Sequence, residues 1–105
     1  MNYTEYEFTL PKGLIDTEGQ INRLGVMRPA TGKDEINAQK DRRVRDNPDY
    51  GVLVILSQVI TKFGNLSRVT PELLEQLFLI DLVYLREIYN QINQQSSELS
   101  ESGEF

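Results

Sequence analysis

A chain of 105 residues, 39% apolar and 26% charged, has the length and composition of a single folded domain. It contains no cysteine and no histidine, which excludes disulfides, thiolate metal centres and serine–histidine or cysteine–histidine nucleophile pairs. Eleven Lys and Arg against sixteen Asp and Glu leave a formal charge of −5, which disfavours non-specific binding to nucleic-acid phosphates.

Glu5 to Leu10 alternate, with Tyr6, Phe8 and Leu10 on one face and Glu5, Glu7 and Thr9 on the other. That period of two predicts a half-buried strand. Pro11-Lys12-Gly13 interrupt it before Leu14 and Ile15 resume. Asp16-Thr17-Glu18-Gly19 carries the signature of a type I turn. Ile21 to Arg28 then reads as a second strand, with Gly25 marking a bulge or a close approach. The two strands form a hairpin with its tip at residues 16–19.

Pro29 closes the hairpin. Thr31 with Asp34 three residues on resembles a capping box and predicts a short helix over about 32–39, anchored by Ile36. Lys40 to Asp46 alternates charge and reads as a helix end and loop. Asn47-Pro48-Asp49 is a helix start: Asn caps, Pro suits the first turn and Asp complements the helix dipole. Val52, Leu56, Val59, Ile60 and Phe63 then repeat at helical spacing, so a second helix is expected over 48–63, ended by Gly64-Asn65. Thr70-Pro71-Glu72 repeats the start signal, and the last helix is expected over 71–93. It carries two adjoining stripes: Leu73, Leu77, Ile80, Tyr84, Ile88 and Ile92, beside Leu74, Phe78, Leu82, Leu85 and Tyr89. Together they make an apolar arc wider than one neighbouring helix covers.

The expected fold is therefore α+β over residues 1–93, an N-terminal β-hairpin followed by three helices, the C-terminal one longest. Residues 94–105, QQSSELSESGEF from Gln94, have little to bury and are expected to form a disordered tail. Met1 to Glu5 shows no signal-peptide pattern. The longest apolar run, Leu77 to Leu85, is broken by Asp81 and falls short of the ~20 residues a spanning helix needs. A soluble cytoplasmic protein without membrane attachment is the expectation.

Catalytic signals are weak. Asp16, Glu18 and Gly19 suggest the start of a calcium loop, but a twelve-residue loop from Asp16 would end at Met27 and not at an acid. Lys40, Arg42, Arg43 and Arg45 form a basic cluster laced with Asp41 and Asp46, which reads first as a solvated face with local ion pairs. Asp81 inside an apolar run has the setting of a raised-pKa acid, yet no second polar group accompanies it. It reads as a rim carboxylate or as one paired with Arg28, Arg42 or Arg43. No phosphate-binding glycine loop is present, and Ser57 and Ser67 lack a base. No cofactor or metal is expected.

Taken together, Phe8-Thr9-Leu10-Pro11-Lys12-Gly13-Leu14-Ile15-Asp16, then Gly19, then Gly25-Val26-Met27-Arg28-Pro29-Ala30-Thr31-Gly32-Lys33-Asp34-Glu35-Ile36 resemble a small protein of contractile-tail gene clusters. The stretches Asn47-Pro48-Asp49-Tyr50 to Gly64 and Thr70-Pro71 to Asn90 are similar to the same protein. The resemblance, over residues 5–93, is to the phage tail assembly proteins that belong with the tail assembly chaperones. It implies a non-enzymatic assembly factor that binds a tape-measure-type helical protein and keeps it soluble until the tail tube forms. The partner-binding candidates are Leu74, Phe78, Asp81, Leu82, Leu85 and Tyr89 on the last helix, with Arg42 and Arg43 from the basic cluster. The alternative expectation is a structural homo-oligomer, such as a homodimer through the last helix.

Overall fold

The alternation of Tyr6, Phe8 and Leu10 builds a strand that runs further than the alternation itself. A computed structural model describes residues 4–102, with side chains described as far as Gln94. Strand β1, Tyr6–Ile15, pairs antiparallel with β2, Ile21–Met27. The register is Phe8↔Gly25 and Thr9↔Leu24 on one side and Leu14↔Asn22 and Ile15↔Ile21 on the other. Leu10 to Gly13 thus oppose Arg23 alone. Pro11-Lys12-Gly13, expected to interrupt the strand, instead form a bulge within it. Pro11 brings no donor to the ladder, and Gly13 supplies the positive φ of +99° that the bulge requires. Arg23 fastens the bulge by donating from Nε to the Leu10 carbonyl at 2.8 Å.

The tip lies where the turn residues place it. Asp16 Oδ1 accepts from the N–H groups of Glu18 and Gln20, each at 2.9 Å. Gly25 is a close approach. A Cβ there would meet the Phe8 ring and lie 2.6 Å from the Lys62 carbonyl oxygen.

Thr31 caps helix α1, Gly32–Lys40, in a full capping box with Asp34. Ile36 is not its anchor; it is exposed, and α1 buries Asp34 and Ala38. The mixed-charge segment is not a loop. It forms a short helix α2, Arg42–Asp46, capped by Asp41. Asn47 caps as expected, accepting from the Asp49 N–H.

The helix expected over 48–63 is three elements. A 3₁₀ turn, Pro48–Tyr50, leads into α3, Gly51–Val59, and the chain then becomes strand β3, Ile60–Phe63. β3 pairs with β2 to complete a sheet of order β1-β2-β3. Val59-Ile60-Thr61 are β-branched in succession, and a two-stranded hairpin gains independent stability from a third strand. Ile60 and Phe63 are buried either way, which is why a helical stripe and a strand look alike here. Gly64, at φ +53°, ends the strand where a helix cap was expected.

The last helix is also divided. Thr70 Oγ1 accepts from the Leu73 N–H at 3.1 Å and starts α4, Pro71–Leu74; after a break at 75–78 comes α5, Leu79–Ser102, the longest helix. No Gly or Pro marks the break. It allows α4 to dock on α3 while α5 docks on β1. The backbone of α5 passes the expected end near residue 93. The tail expected over 94–105 otherwise lies outside the described residues, from 95 in its side chains and from 103 altogether. The fold remains the expected α+β arrangement of hairpin then helices, with more and shorter helices than three.

The core joins Phe8, Leu10, Met27 and Phe63 of the sheet to Leu56, Leu74 and Leu85 of the helices. Phe8 and Phe63 meet edge to face at 6.1 Å. Beside this core, Arg28 forks onto Asp34 through two bonds of 2.8 and 2.9 Å and donates to the Gln58 carbonyl at 3.1 Å. Hydrogen bonding from Arg28 is the main cause that holds the Asp34 carboxyl at about 2, below its ordinary 3.8.

Two outcomes follow from this packing. Gly25→Ala should lower the unfolding free energy in urea by about 1–3 kcal/mol, as overpacking does, with an unchanged denaturant slope. Asp34 has a depressed folded-state pKa, so its stabilisation is present above pH 4 and is lost as pH falls through about 2. Melting curves of Asp34→Asn should start lower at neutral pH and fall less steeply than wild type across that window.

Candidate interaction surface

α5 is held to the sheet by polar groups. Asp81 is fully buried, and its two carboxylate oxygens accept from the backbone N–H groups of Lys12 and Gly13, both at 2.8 Å. Tyr84, one turn on, accepts from the Thr9 N–H at 3.1 Å. These are donors that β1 does not give to β2. The bulge turns two adjacent N–H groups the same way, and a carboxylate with two acceptor oxygens matches them. Asp81 is therefore neither a rim carboxylate nor a partner of arginine, as the sequence suggested. Arg28 is committed to Asp34, and Arg43 to Asp41 and Glu72.

This anchor sets the rotation of α5. At about 100° per residue, the face centred on Asp81 also carries Leu85, Ile88 and Ile92; Leu79 and Val83 fall on the opposite face, about 160° away, and Ile80 on the flank, about 100° away. Leu85 and Ile92 are buried, whereas Leu79, Ile80 and Val83 are 74, 52 and 42% exposed. Phe78, just before the helix, is 54% exposed, with the Lys12 Nζ 4.9 Å from its ring centre. Leu79, Ile80 and Val83 form an exposed apolar patch at the head of α5, with Phe78 exposed just before it. Patches of this kind mark interaction sites.

The candidate residues separate accordingly. Phe78 is exposed just before α5. Leu82 and Tyr89 are half-buried against the core, and Tyr89 also walls a groove of about 310 Å³ between α3 and α5. Burial, then the nearby Glu35 and Asp34, push the Tyr89 hydroxyl above its usual pKa. Leu74, Leu85 and Asp81 are buried and meet no partner while the fold is closed. Arg42 is exposed, but Arg43 is engaged internally. Its guanidinium bonds Asp41 at 2.9 Å, pairs with Glu72 of α4 and lies 5.0 Å from the centre of the Tyr50 ring. The basic cluster thus joins α2 to α4.

Leu79, Ile80 and Val83 were not singled out from the sequence as binding residues. The signal was Asp81 itself: a carboxylate turned inward puts the apolar residues at +2 and −2 on the opposite face and the one at −1 on the flank. A second exposed apolar group, Ile15, Ile21 and Leu24, lies on the hairpin. Among the described residues no group of His, Cys, Asp and Glu is placed to hold a metal ion, and no helix is long and apolar enough to cross a membrane.

Comparison with known proteins returns no match to this chain among protein-family models, curated proteins or solved structures.

The patch and the core beneath it respond differently to substitution. Leu79→Gln with Val83→Gln should change unfolding free energy by only about 0.5 kcal/mol, as surface changes do, while Leu85→Ala should cost about 2–5 kcal/mol. Urea titration of the two variants beside wild type checks both.

Proposed function

We propose that this chain is a non-enzymatic assembly factor of the tail assembly chaperone type, acting in the cytoplasm. It covers an apolar stripe of a tape-measure-type helical protein until that protein is built into a tail tube. The observation that carries this reading is the patch of Leu79, Ile80 and Val83, three large apolar side chains exposed on a helix whose rotation is pinned, with Phe78 exposed just before them. An isolated amphipathic rod exposes apolar stripes that aggregate, and a helix face of this kind packs against such a stripe. The formal charge of −5 keeps the resulting complex soluble. The resemblance over residues 5–93 names the partner class.

Co-expression with a tape-measure-type protein tests the reading. The soluble fraction of that protein should rise, a pull-down should recover both chains, and Leu79→Gln with Val83→Gln should abolish both effects while the chain stays folded. Unchanged solubility and no recovered complex would sink the proposal. A dimer that resists dilution and ignores the tape-measure-type protein would put the homo-oligomer in its place.

A further inference from the structure

The segment that displays the patch is secured in an unusual way. Between residues 75 and 84, Asp81 is the single fully buried side chain; Leu77, Leu82 and Tyr84 are half-buried and the rest are exposed. Apolar contact of this stretch with the core is limited to those three half-buried side chains. Its remaining hold is three backbone donors of β1: Lys12 and Gly13 on Asp81, and Thr9 on Tyr84. Directly before it lies the break at 75–78, where α-helical bonding lapses and turn bonds such as Leu77 N–H to the Leu74 carbonyl replace it. Beyond it, α5 is fastened separately. Leu85 and Ile92 are buried, and the Asn93 side chain accepts from the Ala30 N–H at 3.0 Å.

We propose that the Asp81 carboxylate is a releasable latch: when it leaves the Lys12–Gly13 bulge, residues 75–84 detach from β1 while the sheet, α1, α3 and the later turns of α5 stay folded. Local openings of this kind arise where a segment has few buried apolar contacts and is hinged at one end. Closed, the latch holds Leu79, Ile80 and Val83 outward on a fixed helix. Open, it adds Leu77 and Leu82 to the surface that another chain can meet. The inference concerns how the patch is held, not what covers it. It is tested on the isolated chain, so its failure and failure of the proposed function are distinguishable.

Amide hydrogen exchange on the full chain reads the latch directly. In wild type under low urea, the amides of Thr9, Lys12, Gly13 and residues 81–84 should exchange together, through an opening that occurs more often than global unfolding. The amides of Met27, Leu56 and Val59 should report global unfolding. Asp81→Asn keeps the side-chain volume but replaces one acceptor oxygen with a donor, so one bulge N–H loses its partner. It should speed exchange of the first group about tenfold or more and leave the second group near wild type once corrected for global stability. The proposal is overturned if the Lys12 and Gly13 amides in wild type exchange only with those of Leu56 and Val59. It is equally overturned if Asp81→Asn leaves them at wild-type rates, accelerates every amide alike, or prevents folding, because the latch is a local device.

Discussion

The orientation of the longest helix depends on one carboxylate bonding two backbone N–H groups. Strand β1 is an edge strand, and an edge presents donors that must find acceptors or invite another chain. Its bulge concentrates the difficulty at Lys12 and Gly13, whose N–H groups turn away from β2 and toward α5. Burying a carboxylate is costly unless it is hydrogen-bonded, and burying an amide N–H is costly unless it is accepted. Each group removes the other's penalty, so the arrangement is stable as a pair and poor as halves. Once Asp81 faces the bulge, α5 has no rotational freedom left. The outward direction of Leu79, Ile80 and Val83 is a consequence of that constraint and not a separate feature.

The middle of the same helix meets a second set of polar contacts. Arg28 reaches both oxygens of Asp34 and the carbonyls of Pro29 and Gln58, drawing the end of β2, the start of α1 and the end of α3 to one point. Asn93 accepts from Ala30 between β2 and α1. Between these ties, Leu85, Ile88 and Ile92 pack on the core. The head and the middle of the helix are secured in different proportions. Beyond Leu85 the bonds add to fully buried apolar side chains, whereas before it they accompany apolar side chains that are at most half-buried. That asymmetry makes the head of α5 the less firmly held end and places the exposed patch on it.

The parts of the fold legible in the sequence are those with local causes. Asp16 and Gly19 determine the turn, Thr31 with Asp34 determines the start of α1, and Thr70 with Pro71 determines the start of α4. β3 was hidden because its cause is distant. Ile60 and Phe63 are spaced three apart, as in a helix, and become a strand because β2 offers an open edge. The break at 75–78 was hidden because nothing in Glu75 to Phe78 forbids helix; separate docking of α4 and α5 makes it. At the site, Phe78 was among the candidates and is exposed, but the arc read on one helix over 71–93 is divided among α4, the break and α5. Which other residues stay outside was not legible. Leu85 was a candidate and Leu79 and Val83 were not, whereas the position of Asp81 turns Leu85 inward and Leu79 and Val83 outward. The wrong step was to treat that carboxylate as something at the rim, when backbone N–H groups, invisible to any side-chain pattern, were its partners.

The charges point to what kind of surface is left for another chain. Arg28 and Arg43, two of the more prominent cations in the sequence, are both spent on internal carboxylates, and Lys12 lies over Phe78. What remains outward at the head of α5 is mostly apolar. Contact there gains its free energy from buried area, and charge contributes mainly to solubility and to the rate of encounter. The patch is also short: from Leu79 to Val83 the helix advances only about 6 Å, at about 1.5 Å per residue. Under the proposed function, one copy then covers little more than one turn of a helical partner. On that reading, protection of a long rod would come from many copies bound side by side, each through a small contact of its own.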